Sequence, residues 1–305
     1  MRKFLTVAAA ALVVALGSSS IGVTSILTEA SAAATANAAL RLCTGGTKGN
    51  YYFSGQQIKH QAQGDIAVEV VSTRGTWDNF IKMANDECDA AIVQADGWSV
   101  WNAKNPSAAL MLERVDVLYD EYVHLYCNRE SGIDEVGDLE DNSGKYTILT
   151  GKNGSGSQVT WRNFIIEDDD YGPEHVTQLP LGGARARTKV KAGIDAQCAI
   201  YVAGLNSSFM TKVEELSKWV RLVDVDDGDF NDTVDPAGNP VYTFKTIPEK
   251  TYPGLIDAVF SLDTVAVKAV LVVTANWIDE NEDAYDRFID YQLNAQKVIR
   301  EHVGQ

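Results

Sequence analysis

"EYVHLYCNRES" at residues 121–131 and "DTVAVKAVLVVT" at residues 263–274 are the two runs that decide how this chain folds. Both are rich in β-branched and aromatic residues and carry no Gly or Pro, so both read as strands. They are also longer than the usual strand of five or six residues. Strands of that length read as crossings that carry the chain out of one body and back again. Around them, short apolar runs alternate with helical patterns. Leu40–Cys43 precedes a Gly-rich turn and a helix near Phe53–Gln63; Ile66–Thr73 precedes a helix near Trp77–Asn85, then Ala90–Gln94. Val115–Tyr119 and Tyr122–Cys127 follow as two further runs. Tyr146–Thr150, a second Gly-rich turn, a helix from Gln158 to Glu167, Val176–Leu179, a helix near Ala184–Ala192 and Gln197–Val202 repeat the style. This βαβ rhythm predicts an α/β fold of two mainly parallel sheets flanked by helices. Residues 39–125 plus 263–305 are expected to form one lobe and residues 126–262 the other. A cleft between two such lobes is a common small-molecule site. Near Glu280–His302 a helical period places Tyr285, Phe288, Ile289 and Leu293 on one face.

The N-terminus, "MRKFLTVAAAALVVALGSSS", has a basic start at Arg2 and Lys3, an apolar run from Phe4 to Gly17, and small residues beyond. That pattern predicts a signal peptide over residues 1–38, with cleavage after Ala32 or Ala38. An uncleaved anchor is the alternative, but Ser18–Ser20 leave the unbroken apolar run short of the ~20 residues a span needs. The expectation is an exported, periplasmic chain. The formal net charge is −16, and loss of the leader makes it one charge more negative. Nucleic acid and anionic lipid are therefore excluded as partners. Cys43, Cys88, Cys127 and Cys198 form no CxxC pair and lie near no histidine cluster, so a zinc site is not expected. Buried thiols are expected over a disulfide.

The Gly-rich turns carry the chemistry. "TGKNGSGSQ" at 150–158 follows a strand and opens a helix, as a P-loop does. Gly151 and Gly156 fit that spacing, but Ser157 and Gln158 stand where Lys and Ser or Thr belong. The phosphate lysine and the magnesium hydroxyl are both missing. The first turn, "CTGGTKGNYYFSGQQ" at 43–57, is no GxGxxG. Gly45, Gly46 and Gly49 can expose backbone N–H groups, and the following helix start adds a positive dipole end. Ser155, Gly156 and Ser157 repeat that logic in the second turn. Two such helix starts suggest one anion gripped from both sides, against the alternative of two tight turns without ligand. In "VVSTRGTWDNF", Thr76 and Asn79 are either helix-capping residues or ligand contacts. Gln94 ends a buried strand, where an amide either orients a ligand or makes a structural hydrogen bond. Glu121 is read as an acceptor for a ligand ammonium or for neighbouring backbone. Of Tyr51 and Tyr52, one ring is expected to close over the ligand while the other packs, against the alternative that both are core, the commoner use of aromatics at this spacing. His60, His124, His175 and His302 are isolated, and there is no G-x-S-x-G or HExxH. "DVDDGDFND" puts its glycine one position early for a calcium loop. No cofactor or metal is expected.

These stretches closely resemble the TAXI family, the solute-binding components of one class of TRAP transporters. The matching residues are "TGGTKGNYYFSG" (44–55), "TRGTWDNF" (73–80), "CDAAIVQADG" (88–97), "YDEYVHLYCNRESGIDEVGDL" (119–139), "GKNGSGSQVT" (151–160), "GIDAQCAI" (193–200) and "YPGLIDAVFSLDTVAVKAVLVV" (252–273). They run in order over nearly the whole chain beyond residue 38. The resemblance implies a type II periplasmic-binding fold, a monomer, and delivery of a small carboxylate or amino acid such as glutamate to a membrane permease. Carried over by position, its site falls on Thr44, Gly45, Gly46, Gly49, Tyr51, Tyr52, Thr76, Asn79, Gln94, Glu121, Ser155, Gly156 and Ser157. Thr76-Trp77-Asp78, Ser157, Leu205 and Cys43 depart from the family's usual residues, which bears on the ligand rather than the fold. An exported sensor or an enzyme on the same bilobal fold is the alternative. The enzyme would need Glu121 and His124 as its acid and base.

Overall fold

The computed structural model describes residues 38–109, 111–235, 238–257 and 261–305. The expected signal peptide lies outside the described residues apart from Ala38. Among the described residues, no helix is long and apolar enough to cross a membrane.

The chain runs β1 (Ala39–Cys43), α1 (Asn50–Gln61), β2 (Ala67–Val71), α2 (Thr76–Ala84), β3 (Ala90–Gln94), α3 (Ala95–Lys104), α4 (Pro106–Ala109) and β4 (Leu112–Asn128). Next come α5 (Asp138–Asp141), β5 (Thr147–Leu149), α6 (Gly156–Glu167), β6 (Thr177–Leu179), α7 (Ala184–Ala192) and β7 (Cys198–Ala203). The chain ends with α8 (Ser208–Glu214), β8 (Val220–Val223), β9 (Tyr242–Pro248), β10 (Ser261–Thr274), α9 (Ala275–Glu280) and α10 (Glu282–Val303).

Two parallel groups, β2-β1-β3 and β7-β5-β6, stand at the ends of one sheet ordered β2-β1-β3-β10-β4-β7-β5-β6. The joint between them is β10 and β4, antiparallel to each other and to their outer neighbours. β8 and β9 pair with the ends of β4 and β10 on the second side. The two runs expected at 115–119 and 122–127 are thus one strand. Asp120, which seemed to separate them, is tolerated because the Lys268 ammonium on β10 pairs with it across the ladder.

Helices cover both faces of each half. In the first half, Leu40, Leu42, Ile58, Ile92 and Phe288 pack on one face, and Phe80, Met83, Val93, Trp101 and Val270 on the other. The second half buries Leu125, Ile148, Trp161 and Phe164 on one face and Tyr126, Leu149, Val190 and Met210 on the other. This double cover explains why β3, AAIVQ, is buried at every position and reads as a continuous apolar run. On α10 the buried stripe is Ala284, Phe288, Gln292, Ala295, Ile299 and Val303. Leu293, expected inside, is half-exposed, because small Ala284 and Ala295 allow close packing and shift the buried face around the helix.

The cysteines correct the expectation of thiols. Cys43 and Cys88 form one disulfide, with Cα atoms 5.9 Å apart, and Cys127 and Cys198 a second, at 4.1 Å. The first links the end of β1 to the residues entering its parallel neighbour β3; the second joins residues directly opposite on β4 and β7. Sequence spacing hides these adjacencies, since strand register alone brings the sulfurs together. The bridges span 45 and 71 residues of sequence, so each removes considerable freedom from the unfolded chain. Replacing either pair by alanines should lower unfolding free energy by roughly 2–4 kcal/mol, read from urea unfolding with midpoint and slope both fitted, the slope rising as the unfolded chain expands.

Candidate functional site

The strand ends that face the junction of the two halves are set by backbone economy. Thr44, just past β1, donates its N–H and its hydroxyl to Val71 O at 3.0 and 2.8 Å. Asn79 on α2 donates to Thr44 O (2.7 Å) and Ile92 O (2.8 Å) and accepts from Thr73 Oγ1 (2.6 Å). One amide thereby ties the residues just past β1 and β2 to the middle of β3. The α1 start has Gly49 at its cap with no side-chain cap bond. Neither Gly45 nor Gly46 needs a positive φ, and Gly46 lies open to solvent. The second turn is tighter. Gly151 and Gly154 have φ of 93° and 81°, a region that disfavours side chains. Ser155 caps α6 by accepting from Gln158 N, and Gln158 Oε1 accepts from Gly154 N at 3.0 Å. Ser157 Oγ accepts from Val202 N at 3.1 Å, fixing α6 to β7.

The two halves touch through these turns. Trp77 N–H on α2 donates to Gly154 O at 3.3 Å. Gly75, at φ 117°, lies against Ser155 and Gly156, and a methyl group on Gly156 would overlap Gln94 Oε1. The Gln94 amide donates to Thr160 Oγ1 on α6 at 3.4 Å, while its buried Oε1 has no partner. Thr76 Oγ1 accepts from Gln94 N at 3.1 Å and so braces the same residue from below. Beside it, fully buried Asp96 accepts from Thr160 Oγ1 (2.6 Å), Tyr242 OH (2.7 Å) and Gly97 N (2.6 Å). Burial raises the Asp96 pKa, and those hydrogen bonds pull it back.

Glu121 occupies the changeover on β4. Tyr119 and its β10 partner Ala269 pack into a first-half core, whereas Val123 and Val267 pack into a second-half core. Between them the Glu121 carboxyl is 4% exposed and accepts one hydrogen bond, from Tyr51 OH at 2.6 Å. Burial pushes its pKa up to about 8; the Tyr51 bond opposes that rise, and the nearby Asp96 charge adds to it. His124 lies three positions along an unbroken stretch of β4, hence on the opposite face. Its Nδ1 meets Tyr201 O at 3.2 Å, and burial lowers its pKa to about 4. Glu121 and His124 therefore form no acid–base pair.

Of the residues singled out in the sequence, Tyr51, Thr76, Gln94, Glu121 and Gly156 gather at the junction. Thr44 and Asn79 are taken up by backbone ties, and Ser155 and Ser157 by capping and bracing bonds. Tyr52 is half-buried on α1, and Gly45, Gly46 and Gly49 form the first turn beside it. Sequence reasoning missed Thr160 and Tyr242 as partners of Asp96. Thr160 has a visible signal, a polar residue one turn into a helix that opens on the second Gly turn. Tyr242 has none.

This arrangement of two helix-covered parallel groups meeting at crossing strands is the fold of periplasmic binding proteins. The NMT1-like family profile matches residues 42–286, and the chain belongs to that family. Its fold is similar to a protein from Bordetella bronchiseptica RB50, with 13% identity, 88% of this chain and 76% of that one covered, and a TM-score of 0.55. It is also similar to the alkanesulfonate-binding protein SsuA from Xanthomonas axonopodis pv. citri bound to MOPS, at 12% identity, 87% and 74% coverage and TM-score 0.50. The periplasmic aliphatic sulphonate binding protein SsuA from Escherichia coli matches at 12% identity, 87% and 75% coverage and TM-score 0.50.

Tyr242→Phe removes one of the two side-chain donors to buried Asp96 and should cost about 1–3 kcal/mol in urea unfolding. The folded protein holds the Glu121 proton between the ordinary value of 4.5 and about 8, where the unfolded chain has released it. Stability should therefore fall as pH rises through that window, and Glu121→Gln should flatten this part of the profile.

Proposed function

We propose that this protein is the solute-binding component of a TAXI-type TRAP transporter. It captures a small carboxylate or amino acid such as glutamate outside the cytoplasm and hands it to a membrane permease. The observation that carries this reading is the convergence of Tyr51, Gln94, Glu121 and the Gly-rich start of α6 at the junction of two halves joined by β4 and β10. The positive N-terminal ends of helices and backbone N–H groups suit a ligand carboxylate, and Glu121 suits a ligand ammonium. The ordered run of TAXI-like stretches supports the subtype. The fold-level likeness to sulfonate-binding proteins supports solute capture, and the two disulfides suit an oxidising compartment. Residues 39–125 plus 263–305 form one lobe in this reading and residues 126–262 the other. The described contacts between Gly75, Trp77 and Gly154–Gly156 then belong to the closed state, and a solute reaches the site when the lobes part about β4 and β10. The opposite-face placement of Glu121 and His124 favours binding over catalysis.

The test is thermal unfolding of protein refolded under oxidising conditions to strip carried-over solute. The panel is L-glutamate, L-glutamine, 2-oxoglutarate, glutarate, and ATP with magnesium. A solute at 100 times its Kd should add about 2.7 kcal/mol of stability. Stabilisation by a small carboxylate and none by ATP is the expected outcome; stabilisation by ATP alone would overturn the reading of the second Gly turn.

A further inference from the structure

Resting on the reading of Glu121 as part of a solute site, we propose that capture of an amino-bearing solute releases one proton from Glu121 to solvent. In the empty site, with the halves packed as they are here, Glu121 is the neutral acid. The ligand ammonium keeps its own protons and takes the place of the one that leaves, so that capture ends with an ammonium–carboxylate pair.

The geometry points to this from several sides. Glu121 is almost wholly buried, and a carboxylate has room for about four hydrogen-bond donors, yet only Tyr51 OH reaches it. Among the described residues, no lysine, arginine or histidine pairs with it. The titratable groups close enough to feel its charge are Tyr51 from α1, Asp96 from α3, Tyr119 on its own strand and Tyr201 from β7. Three of these are phenols, all held neutral by burial, and the fourth is a second carboxyl. His124 is neutral and on the other face. A lone carboxylate in such surroundings is less favourable than its acid, because burial penalises charge and nothing nearby repays it.

Asp96 provides the internal comparison. It is as deeply buried but has three donors aimed at it, from Thr160, Tyr242 and Gly97. Its hydrogen bonding is completed within the protein, whereas that of Glu121 is left for something else to complete. An ammonium supplies three donors and a charge of the right sign. The solute class that fits is a primary amine that also carries a carboxylate. A dicarboxylate without nitrogen leaves Glu121 protonated.

The consequence is a pH dependence confined to amino-bearing solutes. Below the Glu121 pKa of about 8, each fall of one pH unit should weaken their affinity about tenfold. Glutarate, which matches glutamate without the ammonium, should show no such slope.

Calorimetric titration of L-glutamate near neutral pH, in buffers of different ionisation heat, counts the protons released. The expected result is close to one with the native protein and none with Glu121→Gln. Glutarate should release none. Infrared spectra of the empty native protein should independently show a carboxylic-acid carbonyl band that disappears as pH passes about 8, a measurement that needs no variant to fold. Binding of L-glutamate without proton release, or an empty protein lacking that band, overturns the proposal and leaves the solute-binding reading intact. Failure of every amino acid and dicarboxylate to bind overturns both together.

Discussion

The antiparallel ladder between β4 and β10 is the constraint on which the rest of the molecule depends. Each strand is too long to serve one core alone, so each enters one set of helices and leaves through another. A backbone that passes between two cores must keep its hydrogen bonds throughout, and pairing the two passages with each other achieves that. The first-half strands then dock on the flank of β10 and the second-half strands on the flank of β4. Register shifts at Ala269/Val270 and Leu271/Val272 give the ladder a local twist on the first-half side.

Where the cores change over, buried polar groups stand between them, and their hydrogen bonding differs. Asp96 is joined to the second half by the hydroxyls of Thr160 and Tyr242, a closed set of bonds that fixes how the halves meet. Glu121 has one donor and Gln94 Oε1 has none. An unsatisfied buried acceptor costs roughly 1–3 kcal/mol, and Gln94 Oε1 is one such atom at the junction.

Much of the fold was legible in the sequence. The helix at Ala184–Ala192 and the strand at Ala90–Gln94 begin and end where their patterns do, because Gly183 and Gly193 bound the first and full burial marks the second. The long runs at 121–131 and 263–274 announced the crossing strands. Illegible features were those created by register: both disulfides, the Lys268 pairing that keeps β4 unbroken, and the Tyr242 bond to Asp96 across 146 residues. At the candidate site, residue types were visible but not their employment. Thr44, Asn79, Ser155 and Ser157 look like ligand contacts in a string of letters, and each also makes a bond to backbone that the letters do not reveal. Glu121 was visible as an acid at the crossing between the two runs; its burial and its bond from Tyr51 OH were not.

The two disulfides have a further consequence. Cys43–Cys88 lies entirely among first-half strands, and Cys127–Cys198 joins β4 to a second-half strand beyond the changeover at Glu121. Neither rivets one half to the other. In mechanical terms the molecule is a pair of plates, each with its own covalent cross-brace, on a joint of two ribbons held by hydrogen bonds alone. Oxidation hardens each plate and adds no covalent tie across the joint.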